Sequence, residues 1–259
     1  MYNYHNHTFR CHHAKGTDEE YVIKAIENGY TEIGFSDHAP YIFPNGHTST
    51  FRMELDKTKD YVSSVMKLKE KYKDKIDIKL GFEVEYYPKL IEKELEYLKN
   101  FHYDFIILGQ HFVDNEYEDY AKYSGSQTDS EETLCKYISQ VIEAAKSGEF
   151  TYIAHPDLIN FTGDKSIYKA KMEQMIITLN KIDIPIEFNF LGFTDKRNYP
   201  NKDFWEIAAN TGNKVVIGLD AHNPSVYDDK INLKKANDYL KKLNIIPQKE
   251  INLISWNHK

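Results

Sequence analysis

Cysteine is nearly absent from this chain: Cys11 and Cys135 are the only two in 259 residues. Two thiols rule out a disulfide framework and allow one bridge at most, with free thiols in a reducing compartment as the expectation. The opening Met1-Tyr2-Asn3-Tyr4-His5 has neither the basic start nor the apolar run of a secretory signal. No apolar run approaches the roughly eighteen residues of a membrane span. A soluble, cytoplasmic protein without membrane contact is the expectation. Basic charge is also short. Lysine and arginine number 33 against 40 acidic residues, for a formal net charge of −7. A general nucleic-acid or membrane-surface binder needs a basic face, so neither partner is expected. A local cationic pocket for an anionic ligand stays open. The 8 prolines and 12 glycines nowhere gather into a linker, and no repeat or low-complexity run is present. Residues 1–259 are expected to form a single domain.

What the chain does have is apolar content and regular alternation. Hydrophobic residues make up 41% and charged residues 28%, which suits a folded core. Strands are expected at residues 2–7, 32–36, 77–84, 103–108, 152–154, 185–188 and 214–219. Helices are expected from Thr17 to Asn28 and at 55–73, 88–100, 131–146, 167–181, 202–211 and 232–243. This alternation predicts an α/β fold with a parallel sheet. Thr17 with Glu20 three residues on is a capping-box pattern, and Gly29 suits that helix's end. Residues 103–108 are nearly all apolar, as in a strand buried on both faces. The stretches 39–52 and 114–130 read as long functional loops, and 191–201 as another. Seven β/α units fall one strand short of the usual eight-stranded barrel, unless Ile245-Ile246 or the tail supplies another. The tail to Trp256 is expected to cover the structure.

The strand ends carry the chemistry. His5 and His7 end the first expected strand, followed by Cys11-His12-His13. His38, Glu83, His111, His155, Asp220 and His222 lie at the ends of later ones. All are good ligands for a divalent transition metal. Barrel active sites form at the C-terminal ends of parallel strands, so these residues are expected to converge. His5 and His7, two apart on a strand, point the same way and can share one metal. Asp37 is a candidate to hold a histidine's second nitrogen. Taken singly, each has a plainer reading: His155 as a turn histidine, His111 as a surface residue, Glu83 as a lysine partner, Asp220 as a loop cap. Taken together, eight ligand-type residues at six strand ends are hard to explain by packing, which uses Val, Ile and Leu there. His12, His47, His102 and His258 are assigned no role.

These residues resemble the PHP (polymerase and histidinol phosphatase) family. The segment His5-Asn6-His7-Thr8, Cys11-His12-His13-Ala14 and Gly16-Thr17-Asp18-Glu19-Glu20-Tyr21 is similar to its histidinol-phosphatase branch. The resemblance covers residues 4 to about 223. It implies a distorted seven-stranded (β/α)7 barrel, TIM-barrel-like, with three divalent metal ions (Zn, Fe or Mn) at the strand C-termini. By resemblance, His5, His7, Glu83 and Asp220 hold the first metal. Glu83 bridges to a second with His111 and His155, and His13, His38 and His222 hold a third. Relatives usually carry a small residue where His12 stands. The implied activity is phosphoric monoester hydrolysis, L-histidinol phosphate plus water giving L-histidinol and phosphate, in histidine biosynthesis. A metal-bridging hydroxide would attack phosphorus. Arg197 resembles the family's phosphate-binding arginine. Protonation of the leaving oxygen falls to Asp18, His38 or a metal-bound water. Asp18 alternatively meets a substrate ammonium, or is simply a helix N-terminal acid. The alternatives are another substrate on the same scaffold (a phosphotyrosine protein or a nucleotide) or a non-catalytic metal-binding module. Oligomeric state is not legible.

Overall fold

The computed structural model describes residues 1–258. Six strands run in parallel: β1 (Tyr2–Asn3), β2 (Glu32–Phe35), β3 (Asp77–Val84), β4 (Phe105–Leu108), β5 (Ile186–Asn189) and β6 (Val215–Gly218). They form one sheet of order β1-β2-β3-β4 and a second pair, β5-β6. Single bridges link the two. Ile153 pairs with Leu108 on one side and Ile186 on the other, and Asn6 pairs with Ala221. Eight helices alternate with these strands: α1 (Asp18–Glu27), α2 (Thr58–Tyr72), α3 (Ile91–Lys99), α4 (Glu131–Ser147), α5 (Lys165–Ile182), α6 (Phe190–Asp195), α7 (Lys202–Thr211) and α8 (Lys230–Lys242). The result is an α/β fold around a curled parallel sheet.

Local chemistry accounts for the element ends. Thr17 caps α1 reciprocally: its backbone N–H donates to Glu20 Oε2 at 2.6 Å, and its hydroxyl accepts from the Glu20 N–H at 3.3 Å. Ser130, Asp164 and Asn201 cap α4, α5 and α7 through their side-chain oxygens. β4 is buried throughout, as a strand covered on both faces requires. Helix α1 buries Tyr21, Val22 and Ala25 as a stripe at helical spacing.

Three expectations are corrected. Residues 2–7 ladder only at Tyr2–Asn3, because Asn6 then turns to bridge Ala221 while still accepting from the Ser36 N–H at 2.9 Å. Residues 152–154 contribute a bridge at Ile153, because the chain leaves the sheet at His155, whose φ is +32°. The stretch 191–201 is not all loop: α6 runs into it as far as Asp195, with Asn189 Oδ1 accepting from the Gly192 N–H at 2.8 Å. Among the described residues the tail adds no strand. Ile251 and Leu253 pack against Tyr4, Phe105, Ile107 and Tyr152, a cluster at the end of the sheet away from the histidines.

Candidate metal centre

Beyond the C-terminal ends of the strands, nine side chains come together. Glu83 lies at the centre. Its Oε1 is 3.0 Å from His155 Nε2, 3.5 Å from His5 Nε2 and 3.8 Å from His111 Nε2. Its Oε2 is 3.0 Å from His38 Nδ1 and 3.6 Å from His7 Nε2. Asp220 Oδ1 lies 3.2 Å from His7 Nε2, 3.5 Å from His5 Nε2 and 3.3 Å from His222 Nδ1. His13 and His222 meet Nε2 to Nε2 at 2.9 Å, and the His222 ring stacks on His7 with centroids 4.1 Å apart. His5, His7, His38, Glu83, His155 and Asp220 are buried; His13, His111 and His222 open toward solvent. His155 and Asp220 both adopt left-handed backbone, φ +32° and +49°. Such conformations cost non-glycine residues energy, and they aim both side chains inward.

The outer nitrogens of five of these rings are held. His5 Nδ1 is 2.8 Å from Glu187 Oε2, His111 Nδ1 is 2.6 Å from Glu85 Oε1, and His7 Nδ1 is 3.4 Å from Asp37 Oδ1. His13 Nδ1 is 2.6 Å from the Cys11 carbonyl and His222 Nδ1 is 3.0 Å from the Asp220 carbonyl. Carboxylates and carbonyls only accept, so each of these Nδ1 atoms carries a proton and each Nε2 is turned to the centre. Two glycines make room: a Cβ on Gly109 would collide with the Glu83 carboxylate, and one on Gly218 with that of Glu187.

The donor set fits divalent metal. Among the described residues, His5 Nε2, His7 Nε2, His38 Nδ1, Glu83 Oε2 and His155 Nδ1 are buried without a hydrogen-bond partner. Buried polar atoms without partners are costly unless something else meets them. Ligand atoms of His5–His7–Asp220, His5–Glu83–His155 and His7–His38–His222 lie within 4.8 Å of one another. Those of Cys11, His13 and His222 do as well, so Cys11 joins the neighbourhood. Burial, His222 and His7 push His13 down to about 4, so it stays neutral as a ligand must. Burial opposes protonation of His5, but Glu187, Asp220 and Glu83 outweigh it and push the ring up to about 10. The neighbouring imidazoles hold the Glu83 and Asp220 carboxyls well below the usual range against the cost of burial. The site therefore concentrates negative charge and favours cations.

Above the centre opens a cavity of about 540 Å³. His13, His38, His111, Asp220 and His222 form its floor side, and Phe51, Phe112, Tyr123, Tyr199 and Arg197 its walls. Arg197 follows α6, donating to Tyr199 Oη at 3.0 Å and to Asp195 Oδ2 at 3.1 Å, with 39% of its side chain exposed. Asp18 is placed elsewhere, which corrects its expected catalytic or substrate-binding role. Its oxygens accept from Arg10 Nη1 at 3.1 and 2.9 Å and from Ser64 Oγ at 2.5 Å. The first turn of α1 faces α2, so this carboxylate is absent from the cavity lining. His12 is exposed near Glu54, and His102 stacks on Trp256. Glu85 and Glu187 were missed from sequence. Glu85 repeats the two-residue spacing from Glu83, and Glu187 is a charge inside a buried apolar strand; both were visible signals.

This fold and this site define a class of protein. The family model for the PHP domain matches residues 3–190, and the chain belongs to the PHP family. Asp220 and His222 lie beyond the matched span and are placed by geometry. The chain is 29% identical over 230 residues to a Deinococcus radiodurans protein named probable histidinol-phosphatase, covering 85% of each. It is 23% identical over 256 residues to the histidinol-phosphatase of Lactococcus lactis, covering 93% of this chain and 90% of the relative. The solved Lactococcus lactis histidinol phosphate phosphatase, complexed with zinc, L-histidinol and phosphate, superposes with a TM-score of 0.72. Identity there is 20%, with 97% of this chain and 96% of that one covered.

Proposed function

We propose that this chain is a metal-dependent phosphomonoesterase, a histidinol-phosphatase that converts L-histidinol phosphate and water to L-histidinol and phosphate in histidine biosynthesis. The observation that carries the reading is the centre itself. Buried imidazole and carboxylate atoms without hydrogen-bond partners converge under an open cavity that also holds an arginine. The histidinol-phosphatases to which most of the chain is similar supply the substrate. The reading takes residues 1–259 as a single cytoplasmic domain. The Ile153 and Asn6–Ala221 bridges support a distorted seven-stranded barrel closed around the site.

Three divalent ions (Zn, Fe or Mn) are proposed. His5, His7, Glu83 and Asp220 would hold one, Glu83, His111 and His155 a second, and His13, His38 and His222 a third. When bound, such ions lower the pKa of water and polarise phosphoryl oxygens. The chain's own residues do the rest. Arg197 offers a planar fork to the phosphate, and Tyr199 and Asp195 orient it from opposite sides. Phe51, Phe112 and Tyr123 shelter the site from bulk water. Burial and the neighbouring His7 hold His38 neutral, so it acts as a ligand and the leaving alcohol takes its proton from solvent in the cavity.

The test is phosphate release from histidinol phosphate, a phosphotyrosine peptide and a nucleotide, using protein purified without chelator. Preference for histidinol phosphate is expected. Faster release from either other substrate moves the reading to another PHP phosphatase. No release from any of them by metal-loaded protein leaves a non-catalytic module.

A further inference from the structure

Beside the centre sits a second cluster that the reaction does not use directly. Arg52, from the loop of residues 39–54, is 1% exposed. Its Nη1 lies 2.5 Å from Glu85 Oε2 as an ion pair, and its Nε donates to Glu116 Oε2 at 2.8 Å. Glu116 belongs to the other long loop. Glu85, fully buried, turns its second oxygen to His111 Nδ1 at 2.6 Å. The guanidinium also lies over the Phe51 and Tyr41 rings, 4.5 and 5.3 Å from their centroids. The Tyr41 hydroxyl donates to the Glu85 carbonyl. Phe51 and Tyr123, on those same two loops, wall the cavity together with Phe112.

From this geometry we infer that Arg52 and Glu85 are positioning residues. The Arg52–Glu85 pair aims His111 at the centre and, through Glu116, ties both cavity loops to that ligand. The inference rests on His111 being a metal ligand. A carboxylate shared between an arginine and an imidazole has both oxygens fixed, so it cannot rotate and the ring cannot turn. Partners of this kind set ring orientation, and losing one typically weakens metal binding by about 10–100-fold. A lysine is a point charge and does not reproduce the fork.

The experiment is a competition titration of metal-free protein with zinc, together with amide hydrogen exchange. Glu85→Gln keeps the side chain's size but removes the charge. It is expected to weaken one zinc equivalent by about 10–100-fold and to leave the others near parental affinity. Arg52→Lys should weaken the same equivalent less. Glu116→Gln leaves the hold on His111 intact; it should quicken exchange in residues 39–54 and 112–124 while zinc affinity stays parental. Parental zinc binding in Glu85→Gln overturns the inference, and so does uniform weakening of every site with loss of metal-free stability. Should Glu85→Gln fail to fold, Arg52→Lys decides: parental binding there overturns it, and selective loss of one equivalent supports it. A parent protein that binds no zinc sinks the proposed function itself, whereas parental binding in the variants sinks only this inference.

Discussion

The interior around Arg52 and the interior around Glu83 are both dense with buried charge, but only the first contains a permanent cation. Arg52 meets Glu85 and Glu116 with a guanidinium that stays protonated, and aromatic rings cover its faces. Around Glu83 the carboxylates of Asp220, Glu187 and Asp37 face imidazoles. Among the described residues no lysine or arginine forms an ion pair with any of these four. Burial makes uncompensated charge expensive, so each cluster needs positive charge. The first has it covalently built in and is permanent structure. The second has only titratable imidazoles to balance its carboxylates and suits a cation that comes from outside. Its stability is then coupled to metal, as a fixed arginine's is not.

The contrast is sharpest when the built-in cation is removed. Arg52→Met should strand two buried carboxylates and cost about 3–5 kcal/mol, measurable by denaturant unfolding of metal-free protein. A loss below about 1 kcal/mol would show that solvent reaches this cluster and that the two regions are alike. Arg197→Ala comes next. It should lower kcat/KM for phosphate esters about 100–1,000-fold while bound metal, by elemental analysis, is unchanged. Loss of metal instead would place Arg197 with the centre's structure.

Glu94 supplies a pH test at the edge of the Arg52 cluster. Burial pushes its carboxyl up to about 8, more than Arg52 pulls it down. The folded chain therefore keeps a proton that the unfolded chain releases near the ordinary glutamate value of about 4.3. Stability from this group is full below that value and falls as pH rises through about 8. Glu94→Gln should remove that slope and gain roughly 1–3 kcal/mol relative to the parent between pH 5 and 9. A constant difference across that range would contradict it. The smallest effect is expected at His12: His12→Ala should change kcat/KM less than about twofold, since an exposed pair with Glu54 contributes little.

The convergence of these side chains was legible because histidines and carboxylates stand out at strand ends. His5-x-His7 and Asp220-x-His222 put paired donors on one face, the strand-end rule placed His38, Glu83, His111 and His155, and only the family resemblance supplied His13. Asp37 was also read as a partner for a histidine. The misses have physical causes. Asp18 looked available because the sequence does not show which way a helix's first turn faces; Arg10 and Ser64 claim it. Helix α6 is six residues long and contains Gly192, too short and too weak a pattern to separate from a loop. Residues 152–154 have the composition of a strand, but the left-handed turn at His155 leaves room for a single bridge. Arg52 gave no local signal, since its partners lie 33 and 64 positions away and only folding brings them together.

The central claim is that the Glu83 region is completed by removable cations. Thermal unfolding before and after chelation, with elemental analysis of the same samples, tests it most directly. At metal about 1,000-fold above its Kd, each site adds about 4 kcal/mol. The account therefore predicts about three equivalents of divalent metal per chain. Chelation should lower Tm by roughly 10 °C for each site emptied, and added zinc should restore it. Protein carrying no metal, with a Tm indifferent to chelator and to zinc, would contradict it.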